Sequence, residues 1–85
     1  MPEMSSKYMT VRPLAQEGAR STMKWAVVNV ASGATLGEIK WYGAWRQYCF
    51  FPARDTVFSA GCMTDLAAFL EGATEGQHAK WKGAR

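Results

Sequence analysis

The chain has 85 residues, of which 48% are hydrophobic, 13% aromatic and 20% charged, and its formal net charge is +3. This length fits one small domain, and the composition is that of an ordinary globular protein, which excludes a fibrous or disordered chain. Residues 1–75 hold seven basic and seven acidic side chains, so the whole charge excess comes from Lys80, Lys82 and Arg85. A dedicated duplex-binding protein normally has a basic face in its folded part, and this balance argues against one.

The cysteine count and the apolar runs bear on where the protein works. Cys49 and Cys62 are too few for a disulfide framework. No apolar run approaches the roughly 18 residues that a membrane-spanning helix needs. The N-terminus also lacks the basic start and apolar block of a signal peptide. The sequence therefore predicts a cytoplasmic protein with reduced thiols and no membrane partner.

Residues 1–22 form an N-terminal segment in which Lys7–Arg12 alternates loosely and predicts a short edge strand, stopped by Pro13. The next stretches alternate as half-buried strands do, with turn chemistry between them. The predicted strands are Met23–Val30, Thr35–Tyr42, Trp45–Phe51 and a short Thr56–Phe58. Gly33 and Gly43 lie in the two hairpin turns, and Pro52 ends the third strand because it has no amide to donate.

The last predicted element is a helix that begins at Ala60, with Ser59 as its N-cap and Gly72 at its end. One face of this helix is continuously apolar, through Cys62, Leu66, Phe69, Leu70 and Ala73. We therefore predict an α+β fold: an antiparallel three- to four-stranded β-meander with one C-terminal amphipathic helix packed on one face. Residues 23–73 form the core of this single domain, and residues 74–85 a loose basic tail.

Aromatic residues are concentrated between Ile39 and Pro52, a stretch that holds six of the eleven in the chain. Both faces of these strands carry large rings, and one helix covers one face only. Some rings are therefore exposed, covered by the N-terminal segment or buried in an oligomer, unless most of them simply form the core. Exposed rings near arginines suit protein binding or base stacking. The candidate binding residues are Trp41, Tyr42, Trp45, Arg46, Tyr48, Arg54 and, in the tail, Trp81.

Residue patterns for catalysis or metal binding are weak. Glu38 and Lys40 match half of a metal-dependent nuclease signature, but a second acid in suitable context is missing, and an exposed charged strand explains the pair. Cys49, Cys62 and His78 lack the paired spacing of a zinc site. No nucleophile elbow occurs. The sequence predicts a protein that is not an enzyme, with no catalytic residue, metal or cofactor.

The segment IKWYGAWRQYCFFP, followed by TVF and CMTDLAAFL, resembles a group of short proteins encoded in bacteriophage and prophage genomes. The resemblance covers about Gly37 to Leu70 and leaves out the N-terminal third and the tail. It implies a phage setting within a host bacterial cell, and it implies no activity and no catalytic residue.

Two functions remain in view after these observations. The first is a host-directed effector or inhibitor, for example of a host defence nuclease, that acts by contact with a host or phage protein. This hypothesis predicts an apolar patch with acids at its rim. The second is a nucleic-acid-binding accessory protein that uses the aromatic and arginine residues with the basic tail. Homodimerisation through an open sheet face or edge stays open as well.

Overall fold

The computed structural model describes residues 6–14 and 22–83, and for residues 81–83 it describes the backbone only. Within these residues the chain forms one four-stranded sheet and one helix. The strands are β1 (Met9–Pro13), β2 (Lys24–Asn29), β3 (Thr35–Tyr42) and β4 (Gln47–Pro52), and the helix is α1 (Ala60–Gly83). The strands lie in the order β1-β2-β3-β4, and every neighbouring pair is antiparallel. The predicted α+β meander with one C-terminal helix is confirmed.

The edge strand predicted near the N-terminus is present, but it begins two residues later than predicted and ends one residue later, so that it includes Pro13. β1 pairs with β2 from Met9 opposite Asn29 to Pro13 opposite Trp25. Pro13 is tolerated because β1 lies at the edge of the sheet and ends there.

The turn between β2 and β3 follows the predicted chemistry. Gly33 has a positive φ of 77° and donates its amide to the carbonyl of Asn29 at 2.8 Å. The Asn29 side chain accepts from the amides of Ala31 and Ser32, as asparagine does in turns.

The hairpin between β3 and β4 has a four-residue loop from Gly43 to Arg46, because Tyr42 pairs directly with Gln47. The predicted third strand therefore begins two residues too early, and Trp45 lies in the loop. Arg46 has a positive φ of 54°, which is uncommon for a residue with a side chain. Its carbonyl accepts from Nε2 of His78 at 3.2 Å, which ties the loop to the helix.

The predicted short strand at Thr56–Phe58 is wrong. The sheet has four strands because it includes the N-terminal edge strand β1. Asp55 has a positive φ of 59°, and the Thr56 hydroxyl donates back to the carbonyl of Ala53 at 2.9 Å. These features bend the segment away from the edge of the sheet. Phe58 instead packs its ring on Phe50, with centroids 5.2 Å apart.

The helix begins where the sequence predicts. Ser59 Oγ accepts from the amide of Cys62 at 3.2 Å, which satisfies one free donor of the first turn. Leu66, Phe69 and Ala73 are buried against one face of the sheet. The core on that face also contains Met9, Trp25, Val27, Ile39 and Tyr48.

The predicted helix end at Gly72 and the loose tail from residue 74 are wrong, since α1 continues to Gly83. An interior glycine costs a helix only about 1 kcal/mol relative to alanine, and contacts beyond Gly72 offset this. Gln77 is buried one turn beyond Ala73. Thr74 and His78 each make a hydrogen bond to the β3–β4 hairpin.

Candidate functional site

Two of the sequence-predicted site residues belong to the core. Tyr48 is 3% exposed, and its ring lies between Trp25 at 5.3 Å and Trp41 at 5.1 Å, each measured between centroids. Trp41 is partly buried on the same face and meets His78 of the helix at 5.9 Å. Neither ring offers an open face on which a partner could stack. Tyr48 and Trp41 are therefore core residues and do not form a stacking surface.

Tyr42 and Trp45 do form an exposed aromatic corner at one end of the sheet. The Trp45 side chain is 66% exposed, and its ring lies 4.9 Å from that of Tyr42 in an edge-to-face arrangement. Phe51 extends the corner across the strands, at 6.3 Å from Tyr42. We call Tyr42, Trp45 and Phe51 the aromatic corner.

The predicted arginines do not gather there. Arg46 precedes β4 and Arg54 follows it, so the whole strand, about 20 Å long at roughly 3.3 Å per residue, separates them. Both are exposed. The side chain of Trp81 falls outside the described residues, and its predicted role stays a prediction.

An apolar groove of about 810 Å³ lies between β4 and α1. The effector hypothesis predicts an apolar patch with acids at its rim, but the sequence does not predict where that patch lies. The sides of the groove come from the edge of β4 and from the helix, and it opens next to Trp45. The large apolar side chains that line it include Phe50, Phe58, Met63, Leu66 and Leu70. Met63 is 58% exposed, so the groove is open to a partner along the helix.

Only some of the outward-facing backbone groups of β4 already have a hydrogen-bond partner in the helix. The Tyr48 amide points away from β3 and donates to Thr74 Oγ1 of the helix at 3.0 Å. The Ala53 amide points the other way and donates to the carbonyl of Leu36 in β3 at 2.9 Å. Because successive residues of an antiparallel strand face opposite sides, Phe50 directs its N–H and C=O outwards into the groove.

Charge is distributed unevenly around the groove. Glu71 and Glu75 lie one turn apart on α1, and they are the only charged residues that line it in the described part of the chain. The chain as a whole carries +3. The groove is thus a locally acidic, apolar site on a basic protein.

The other face of the sheet, which the helix leaves open, has a different chemistry. Register places Arg12 in one row with Glu38, and Lys24 with Lys40 in the next row. Lys24 lies 3.4 Å from Glu38, and Lys40 lies 4.5 Å from the ring centre of Phe51. We call this the open face; these four charged residues give it an excess of two positive charges.

Glu38 is thus the partner of a lysine, and the structure puts no second acid beside it among the described residues of the open face. Cys62 and His78 stand 16 residues apart on one helix, about 24 Å at 1.5 Å per residue, so they do not share a metal ion. Among the described residues no group of three potential ligands comes together. Burial raises the pKa of the Cys49 thiol, which opposes its ionisation to a nucleophilic thiolate.

A buried hydrogen-bond network in the described part of the chain has Tyr48 at its centre. The Tyr48 hydroxyl accepts from the Met23 amide at 2.9 Å and donates to Gln77 Oε1 at 3.3 Å. Burial raises the pKa of this hydroxyl, while the bond from Met23 lowers it by a smaller amount. The network joins β4 to the start of β2 and to the helix, and Tyr48 also lines the inner wall of the groove.

Comparison with known proteins gives no match: no protein-family model, curated protein or solved structure is similar to this chain at a significant level. In the described part of the chain, α1 is too polar to cross a membrane.

Proposed function

We propose that this chain is a small non-enzymatic binding protein that acts by protein–protein contact, as a host-directed effector or inhibitor in a phage setting. The observation that carries the proposal is the groove between β4 and α1. It combines an apolar floor with two acids at its wall, which is the kind of patch expected of a protein-binding surface. The phage setting rests on the resemblance of residues 37–70 alone.

The acids also favour a protein over a nucleic acid at this groove. A phosphate backbone would meet Glu71 and Glu75 without a base among the lining residues. An apolar segment of a protein would bury Met63, which is 58% exposed, and full burial of such a side chain contributes about 1.5 to 3 kcal/mol before the cost of association. Trp45, a type of residue that often dominates interfaces, stands at the mouth of the groove.

The experiment is a pull-down from bacterial lysate with and without nuclease treatment. Met63→Glu places a third acid in the groove, and Val30→Glu is the matched control, because the two side chains are 58% and 57% exposed. Val30 lies in the β2–β3 turn and does not line the groove. Circular dichroism verifies that both variants fold.

We expect one host protein to be retained by wild type and Val30→Glu after nuclease treatment and to be lost with Met63→Glu. A protein retained equally by all three would place the interaction elsewhere and contradict the assignment to the groove. Recovery of nucleic acid alone, released by salt, would contradict protein binding altogether.

A specific observation supports a second candidate, the nucleic-acid-binding accessory protein. The open face carries Arg12, Lys24 and Lys40 beside the aromatic corner, and bases with exposed rings are what single-stranded nucleic acid requires. One of the lysines is already paired with Glu38, and the distance between Arg46 and Arg54 removes the single basic face that this function predicts. Binding of a single-stranded oligonucleotide that weakens steeply with salt and is lost in Lys40→Gln would favour this candidate.

A further inference from the structure

The edge of β4 has one complete site for pairing with another strand. Phe50 directs both its N–H and its C=O into the groove, and no described residue bonds to that amide. An extended segment that lies beside β4 can therefore exchange two hydrogen bonds with Phe50.

The positions on either side of Phe50 limit how far such pairing extends. The Tyr48 amide is held by Thr74, and Pro52 has no amide. Both residues still present carbonyl oxygens, so they accept bonds without donating them. Pairing is thereby confined to about three residues of a partner strand, because backbone groups that face the same neighbour recur at every second residue.

This restriction argues against a second copy of the chain as the occupant. In a symmetric pair of β4 strands centred on Phe50, Tyr48 of each copy faces Pro52 of the other. That pairing needs an amide that Thr74 already holds and another that proline lacks. Only the two bonds at the centre would form, whereas a separate peptide can also donate to the flanking carbonyls.

The walls of the groove define the side chains of the occupant. Along a strand, alternate side chains point to the same face. Those directed towards the helix would meet Phe58, Leu66 and Leu70, which favour an apolar residue. Glu71 and Glu75 line the same site, and no base does so in the described part of the chain, which favours lysine or arginine next to it.

Resting on the proposed function, we propose that the groove binds an extended segment of the partner as a short fifth strand beside β4, with one apolar side chain flanked by lysine or arginine. Backbone bonds to Phe50 fix the direction and register of the segment, the floor of the groove receives the apolar side chain, and Glu71 and Glu75 pair with the basic residues.

Selection of a ribosome-displayed library of random linear octapeptides on the immobilised protein tests this proposal. We expect enriched peptides to share one apolar residue flanked by Lys or Arg, and to bind Val30→Glu as they bind wild type. Glu71→Lys should weaken them by about tenfold or more, since it replaces an attraction by a repulsion. No enrichment, or enrichment of acidic peptides, would overturn the proposal.

A backbone test then separates strand addition from simple apolar contact. The best peptide is resynthesised with an N-methyl group on the residue that faces Phe50, and then on a residue two positions beyond the paired segment as control. The first change should weaken binding by about tenfold because it removes a donor, and the second should not. Hydrogen exchange of the Phe50 amide should slow when the unmodified peptide is bound. Equal binding of both methylated peptides, or an unchanged Phe50 amide, would overturn strand addition.

These results are distinguishable from failure of the proposed function. A host protein whose capture depends on Met63, together with no effect at the Phe50 amide, would retain the protein-binding function and reject the strand. A dimer in light scattering that is abolished by Met63→Glu, with no enriched peptide, would replace the peptide by a second copy of the chain.

Discussion

At the scale of the single residue, Gly37 decides how closely β3 and β4 pack. A Cβ atom at this position would lie 2.6 Å from the Phe51 carbonyl oxygen and 2.7 Å from two ring carbons of Phe50. One neighbour is backbone and the other a ring fixed on Phe58, so neither moves easily. We expect Gly37→Ala to lower the free energy of unfolding by about 1 to 3 kcal/mol, as overpacking does, measured by urea denaturation.

Gly76 provides the control for this prediction. It lies in α1 with nothing within 4 Å of its added Cβ. Gly76→Ala should raise the free energy of unfolding by up to about 1 kcal/mol, because alanine favours the helix. A Gly37→Ala variant as stable as wild type would show that the Phe50 ring can leave its place over the glycine.

Tyr48 is the second residue whose contribution can be isolated. In Tyr48→Phe the Met23 amide loses its acceptor, so we expect a loss of about 1 to 3 kcal/mol in the free energy of unfolding. Tyr42→Phe removes a hydroxyl from an exposed ring and should change it by less than about 0.5 kcal/mol. Equal effects of the two substitutions would contradict a structural role for the buried network.

The same residue makes stability depend on pH. Burial raises the pKa of Tyr48 above its ordinary value of 10.0, so the unfolded chain loses this proton first as pH rises. The corresponding stability is complete below pH 10.0 and is lost as pH rises through the higher folded pKa. Urea midpoints from neutral to alkaline pH should therefore fall more steeply for wild type than for Tyr48→Phe. Cys49 is common to both proteins and cancels in the difference; parallel curves would contradict the prediction.

At the scale of the element, the contact between α1 and the edge of β4 depends on Thr74. Thr74→Val keeps the branched shape and removes the oxygen that accepts from the Tyr48 amide. We expect a loss of about 1 kcal/mol and faster hydrogen exchange of that amide, with no change at the strand residues that pair with β3. Thr64→Val is the control, because the Thr64 hydroxyl donates only to its own helix at Ala60. An unchanged Tyr48 amide in Thr74→Val would show that water replaces the hydroxyl without cost.

The elements differ in how well the sequence predicts them, for a physical reason. The β2–β3 turn at Gly33 and the helix start at Ser59 depend on local chemistry, and both are confirmed. The predicted end of α1 at Gly72 is wrong, because an interior glycine costs a helix little and contacts with distant strands extend it to Gly83. Gln77, one turn after Ala73, is buried in this extension, which its polar side chain does not indicate in the sequence.

The groove has no signature in the sequence, because it arises from the docking of one element on another. Which amides of β4 face outwards depends on the β3–β4 register, and the Gly43–Arg46 loop sets that register. Of the predicted site residues, Trp45 does line the groove, while Tyr48 supplies part of its wall from within the core. Aromatic content left open whether the rings are core, covered or exposed, and only the packed structure shows that Trp45 is exposed and Tyr48 is buried.

At the scale of the whole molecule, the two candidate functions occupy surfaces of opposite charge. The groove has Glu71 and Glu75, and the open face has Arg12, Lys24 and Lys40 around Glu38. Net charge alone therefore does not distinguish a protein partner from a nucleic-acid partner. A charge added to one surface or to the other does distinguish them, because each partner would respond to a change on its own surface.

Two charge reversals make that comparison at equal net charge. Glu71→Lys and Glu38→Lys each add two positive charges, which takes the chain from +3 to +5. If the partner is a protein bound in the groove, Glu71→Lys should abolish its nuclease-resistant capture and Glu38→Lys should leave it unchanged. If a nucleic acid binds the open face, Glu38→Lys should strengthen retention of a single-stranded oligonucleotide and steepen its salt dependence, with a smaller effect from Glu71→Lys. Equal responses of the two variants in both assays would show that long-range charge, rather than either surface, governs what this protein binds.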